Sequence, residues 1–204
     1  MTFWKKIFRG RETSRTQLGE LPQTTIEDFP KAVKSWRMDA EQGDAESQYN
    51  LGVSYARGQG VQQNDTEATK WYRKAAEQGN PHAQSNLGLM YQTGRGVPRH
   101  LSEAVKWFTK GAEQGSALAQ YNLAVAYYYG YGVSQDYTQA VKWWLKSAQQ
   151  GHAESQYSLG VAYRTGMGAQ RNQNEAAKWY RKAAEQGHKD AQKSLEIILR
   201  SLEG

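Results

Sequence analysis

The chain contains no cysteine among its 204 residues. That removes a disulfide framework, a thiolate metal site and a cysteine nucleophile, and it is compatible with a reducing compartment. Proline is scarce, at four residues, so little interrupts helix formation. No run of about 18 apolar residues is present to span a bilayer as a helix. A secretory leader is missing too, because Phe3-Trp4 is followed at once by Lys5-Lys6 instead of a continuous apolar stretch. The expected location is therefore the cytoplasm, or the inner membrane surface, without a cleaved signal. An evenly spread basic charge is also lacking. The net charge is +6, but Lys5, Lys6, Arg9, Arg11 and Arg15 against Glu12 alone leave +4 in the first 15 residues and only +2 in the remaining 189. A nearly neutral body lacks the basic face that phosphate recognition needs, so nucleic acid is not its expected partner.

What the chain does have is a strict period. Gly43, Gly79, Gly115, Gly151 and Gly187 stand 36 residues apart with no insertion or deletion. Each closes an Ala-Glu-Gln-Gly phrase, or Ala148-Gln-Gln-Gly151 in the fourth copy. Such a period means one helical unit built repeatedly and stacked. A residue that occurs in every copy serves the joining of copies, because a catalytic centre is needed only once.

Residues 64–99 show the unit. Asn64 with Glu67 reads as a capping box opening a first helix, repeated as His100/Glu103, Asp136/Gln139 and Asn172/Glu175, with Asp28 opening the first unit. Ala68, Trp71, Tyr72, Ala75 and Ala76 form the stripe of a helix buried on one face, and Lys70, Arg73, Lys74 and Glu77 fall opposite. Gly79 ends that helix, and Asn80 with Pro81 opens a second, as Asp44 and Ser116 do elsewhere. Gly52, Gly88, Ala124 and Gly160 share one position in the second helix, where a small residue predicts close helix approach. Gly94-Arg-Gly96-Val97 and its equivalents end the second helix. A dinucleotide loop is excluded there because each copy follows a helix, not a strand.

The phrases Glu175-Ala-Ala-Lys-Trp-Tyr-Arg-Lys-Ala-Ala-Glu-Gln-Gly187 and Ala153-Glu-Ser-Gln-Tyr-Ser-Leu-Gly-Val-Ala-Tyr163, the latter with Gly166 and Gly168, resemble the Sel-1-like repeat family, a relative of the tetratricopeptide repeat. The resemblance covers residues 28–202. It implies an all-α, right-handed α/α solenoid of five 36-residue helix-turn-helix repeats, whose first helices line a concave groove that binds proteins or peptides. Residues 1–27 form an extension outside the array of residues 28–204. Unit one departs by carrying Ser35 where the others have Trp71, Trp107, Trp143 and Trp179, with Trp36 beside it. Unit five carries Glu196 at the small position, and residues 188–202 read as a C-terminal cap.

Chemistry is hard to place on such a frame. His152 and His188 share a repeat position, so they stand a helix-packing distance apart and cannot ligate one metal; they read as surface residues at helix entries. Glu41, Glu77, Glu113 and Glu185 recur in register and read as structural or solvated. Gln48, Gln84, Gln120, Gln156 and Gln192 read as hydrogen bonds between repeats. No cofactor and no metal are expected.

A partner would be met where copies differ. At the exposed register of the first helix, Arg37, Arg73 and Arg181 give way to Thr109 and Leu145. The lysine series, Lys106 and Lys142 included, reads either as a groove wall or as a solvated face relieved by glutamates. Leu118, Tyr128, Tyr129 and Tyr131 depart from their equivalents in unit three. They read as an exposed interface anchor or as a packing variant of the turn. In the extension, Phe3, Trp4, Ile7 and Phe8 fall on one helical face with Lys5, Lys6 and Arg9 opposite. That arrangement fits weak contact with anionic membrane, a cover folded over unit one, or a disordered tail. The function expected is a non-enzymatic scaffold or adaptor binding a protein or peptide. The alternatives are a hydrolase-type enzyme, as labelled for some cysteine-rich relatives, and an effector or immunity-type inhibitor.

Overall fold

The structure is a computed structural model that describes residues 28–203. Phe3, Trp4, Lys5, Lys6, Ile7, Phe8 and Arg9 lie outside the described residues. Regular structure among those described is entirely helical: α1 (Phe29–Glu41), α2 (Ala45–Arg57), α3 (Asp65–Glu77), α4 (Pro81–Thr93), α5 (Leu101–Glu113), α6 (Ala117–Tyr129), α7 (Tyr137–Gln149), α8 (Ala153–Thr165), α9 (Gln173–Glu185) and α10 (Lys189–Glu203). Two compact units divide the chain after Arg99, one holding α1–α4 and the other α5–α10. Within each, consecutive helix pairs pack as a solenoid. No helix among the described residues is long and apolar enough to cross a membrane.

The helix starts follow the sequence, with one change. Asn64 Oδ1 accepts from the Thr66 and Glu67 backbone N–H groups, Asp136 from Gln139, and Asn172 from Glu175, while His100 Nδ1 accepts from Glu103 at 3.3 Å. Asp44, Asn80 and Ser116 cap second helices in the same way. The reciprocal half of the capping box is not made by glutamate. The backbone N–H groups of Asn64, Asp136 and Asn172 donate instead to the carbonyls of Tyr55, Tyr127 and Tyr163, each at 2.9 Å. The turn folds back onto the preceding helix and satisfies that donor. Glu67, Glu103 and Glu175 are left to pair with Lys70, Lys106 and Lys178. Asp28 precedes α1 without making the side-chain cap.

The apolar stripe of each first helix is the core. Ala68, Trp71, Tyr72, Ala75 and Ala76 are all buried, and Tyr72 is fully so. The small residue of the second helix makes room for this packing. A Cβ added to Gly52 would lie 2.5 Å from the Tyr72 ring, and one added to Gly160 would lie 2.5 Å from the Tyr180 ring. Repeat three carries Ala124 at that position, and the ring in register is the larger Trp144, itself buried. In α10, Glu196 is exposed where a glycine receives a ring in the other two cases. Trp71 and Trp107 are buried, whereas Trp143 and Trp179 are half-buried.

A buried glutamine seals repeats one, three and four. Gln48 Nε2 donates to the Ala40 carbonyl at 3.1 Å, and Gln48 Oε1 accepts from Gln78 Nε2 of the next repeat at 2.8 Å. Gln120 does the same with Ala112 and Gln150, and Gln156 with Ala148 and Gln186. One amide thus closes a helix pair on itself and ties it to its neighbour, as the recurrence of glutamine implied.

The close approach at Gly160 sets a stability test. Gly160→Val would drive two methyls into the Tyr180 ring. It should cost about 1–3 kcal/mol by overpacking, read as a lower urea midpoint. Gly160→Ala should cost less, because a gain in helix propensity of about 1 kcal/mol opposes it. An unchanged midpoint for the valine variant would show that the ring yields without penalty.

Candidate functional site

The exposed faces of the first helices carry the candidate lysines, and the structure assigns most of them local partners. Lys74, Lys110, Lys146 and Lys182 place their ammonium groups over the rings of Trp71, Trp107, Trp143 and Trp179 at 4.3, 4.4, 4.1 and 4.6 Å. Each such stack contributes about 0.5–1 kcal/mol at an exposed site. Neither reading of that series, as a groove wall or as a solvated face relieved by glutamates, includes these stacks. The signal was in the sequence as a lysine three residues after every one of these tryptophans. Lys106 pairs with Glu103 at 2.9 Å and Lys178 with Glu175. Lys142 is exposed, and the residue three positions before it is Gln139.

The register expected to be exposed is only partly so. Arg73 is half-buried, donates to the Tyr91 hydroxyl at 2.7 Å and lies over that ring. Arg37 makes the matching bond to Tyr55. These guanidiniums bridge the two helices of a pair and are not simply held out for a partner. Thr109 is half-buried and donates to the Val105 carbonyl in its own helix. Leu145 is half-buried as well, while Arg181 is exposed.

The tyrosine cluster of unit three is real but differently exposed. Tyr128 is buried at 5% exposure, contrary to its reading as a surface anchor. Its hydroxyl donates to Met167 Sδ at 3.3 Å, and its ring meets Tyr129 edge-on at 4.9 Å, Tyr137 at 5.0 Å and Trp144 at 5.4 Å. Burial, with Tyr137 beside it, pushes the Tyr128 phenol up to about 12. Tyr129 is half-buried and stacks on Tyr131 at 5.1 Å. Gly130 and Gly132, at φ 72° and 73°, turn the chain so that Tyr131 stands out between them. The exposed surface of the cluster is therefore Tyr131, Tyr137 and Met167, at 41, 37 and 37% exposure. Leu118 is half-buried and eleven residues before Tyr129 in the same helix, roughly 16 Å along its axis. It does not belong to this patch.

Tyr137 and Met167 were missed by sequence reasoning. Their signal lies in a pair of positions that close each repeat. In repeat two these hold Arg95 and Asp65, joined by a two-point ion pair at 2.6 and 3.0 Å. The same positions hold Tyr131 and Leu101 in repeat three, and Met167 and Tyr137 in repeat four. An ionic closure has become an apolar one.

The histidines do other work than expected at a surface. His188 is buried, stacks on Tyr157 at 4.6 Å and sets Nε2 3.3 Å from a Glu154 carboxylate oxygen. Its place at a helix entry predicts a surface residue; the preceding repeat encloses it instead. His152 stacks against Tyr121 at 4.9 Å, and its Nδ1 accepts from the Ser155 backbone N–H. Both rings act as helix caps, with His188 Nδ1 accepting from Ala191. No three His, Asp or Glu side chains among the described residues converge as metal ligands.

Comparison with known proteins adds the family context. A family model described as "Sel1 repeat" matches residues 45–80, 81–116, 117–152 and 153–188. It phases the period from α2, leaving α1 and α10 as flanking helices. A Sel1 repeat protein from Oxalobacter formigenes is similar at 36% identity and TM-score 0.75, over 84% of this chain and 50% of that one. A protective antigen of uropathogenic Escherichia coli strains, described as displaying an SLR fold, is similar at 39% identity and TM-score 0.80, over 96% of this chain and 42% of that one. This chain thus spans half or less of the length of those two. An immunity protein from Pseudomonas aeruginosa shares the fold at 23% identity and TM-score 0.56, over 87% of this chain and 65% of that one. No curated protein matches.

The cap at His152 carries a pH dependence. Burial disfavours the imidazolium and pulls its pKa below the ordinary 6.5, opposed by the charge of Glu154. The unfolded chain then binds the proton more readily than the folded one. This contribution to stability is complete above 6.5 and is lost as pH falls through the lower folded-state value. The melting temperature should fall between about pH 7.5 and about pH 5.5, and His152→Asn should fall less. An equal fall in both proteins would remove His152 as a cause.

Proposed function

This chain belongs to the Sel1 repeat family, whose repeats cover residues 45–188, and from that premise we propose that it is a non-enzymatic scaffold that holds a partner protein or peptide. The family is generally a protein-interaction module without catalysis. One observation carries the reading further: the residues common to all copies are consumed in joining them, and the departures gather on the surface of repeats three and four. There, Tyr137 and Met167 lie partly exposed against buried Tyr128, which packs on Trp144, and exposed Tyr131 stacks on Tyr129 beside it. Rigid aromatic groups on a packed base supply large contact area at low entropic cost, as binding anchors do. An inhibitor of the immunity type would be one form of such a binder. The hydrolase alternative draws on cysteine-rich relatives, and this chain has no cysteine.

The test keeps the buried base intact. A variant with Tyr131→Ser alone, which leaves Tyr137 and Met167 packed on Tyr128, should lose about tenfold or more in affinity for a captured partner, with a melting temperature within about 4 °C of the wild type. Undiminished capture by that variant would sink the patch as the anchor.

A further inference from the structure

The exposed face of α7 differs chemically from those of the other first helices. In α3, α5 and α9, glutamates stand at Glu67 and Glu77, Glu103 and Glu113, and Glu175 and Glu185. The first of each pair neutralises a lysine three residues on, at 3.6, 2.9 and 2.5 Å. In α7 both positions are glutamine, Gln139 and Gln149, yet the lysines remain as Lys142 and Lys146. Tyr137–Gln149 contains no Asp or Glu at all, so the helix carries +2. Its arginine register has become Leu145.

We propose that this face docks an acidic segment of the partner protein. Carboxylates one helical turn apart would meet Lys142 and Lys146, and an apolar side chain would rest against Leu145. The assignment rests on the scaffold reading above and names the partner's chemistry. Lys142 and Lys146 are both exposed and lie one turn apart, about 6 Å along the axis. Lys146 is held by its stack on Trp143, so less side-chain freedom is lost when an anion arrives. Loss of both glutamates removes the groups that would repel a carboxylate and compete for the lysines. A polyphosphate chain would find no arginine fork on α7 and would leave Leu145 unmatched, whereas a peptide supplies charge and apolar surface together.

The probe is a short fluorescein-labelled peptide of Glu, Leu and Ala with its glutamates one helical turn apart, titrated against the full chain by anisotropy. Saturable binding that weakens with added salt is expected. Gln139→Glu/Gln149→Glu restores the residues of the other repeats, so the fold is kept. It should weaken binding about tenfold or more. The charge-matched pair Lys189→Gln/Lys193→Gln, on exposed positions of α10, should leave binding unchanged. The same peptide with glutamine for glutamate should not bind. Equal weakening by both pairs, full affinity in the glutamate variant, no binding by the wild type, or a preference for anionic vesicles or single-stranded oligonucleotide would each overturn the assignment. The aromatic variant separates this outcome from the scaffold reading, because it tests partner capture without altering α7 charge.

Discussion

A buried amide with both ends engaged is the constraint on which the rest depends. Gln48, Gln120 and Gln156 each donate to a carbonyl at the end of their own first helix and accept from a glutamine of the following repeat. Left unsatisfied in the interior, such a group costs about 1–3 kcal/mol. The seam therefore tolerates only one register between successive helix pairs. Glycine against an aromatic ring, at Gly52 and Tyr72 or at Gly160 and Tyr180, fixes the separation at which those amides can meet. Polar and apolar contacts specify the same arrangement, which is what a single native packing needs.

Because the frame is closed at these points, the outer surface is free to vary without loss of fold. The lysines show how much of that surface is nonetheless occupied. Stacking on tryptophan and pairing with glutamate account for Lys74, Lys106, Lys110, Lys178 and Lys182. Arg37 and Arg73 reach across to tyrosines of their own pair. A charged repeat surface seen as a string of letters thus overstates what a ligand would meet. The informative places are the few where a local partner is lost, as at Gln139, or where an ionic closure becomes apolar, as at Tyr131 and Met167.

Much of the fold was legible beforehand for a physical reason: periodicity reports what recurs, and what recurs is the packing. Asn64, Asp136 and Gly160 could be assigned roles from spacing alone, and so could the glutamine series. The misreadings share a different cause. Tyr128 reads as exposed because repeat two carries Gln92 at its position, but Met167, 39 residues later, comes to lie over it. His188 looked superficial because helix entries usually are, yet Tyr157 and Glu154 enclose it. The capping box was half right because Asn64 N–H finds the Tyr55 carbonyl first. In each case the deciding neighbour belongs to another helix or turn, and a pattern within one helix cannot report it. The candidate site was legible only as departures from register. Tyr137 and Met167 needed the Arg95–Asp65 pair to be seen before their positions had meaning.

The seam also bears on heredity. A duplication or deletion of 108 nucleotides, or a whole multiple of it, returns every glutamine to its carbonyl. An insertion of one or two residues inside a helix turns donor and acceptor onto different faces. Whole steps are therefore the changes of length that leave every such bond in place. Along them, substitutions such as those at Gln139 or Tyr131 travel as separable marks, each copied or lost together with the hairpin that bears it.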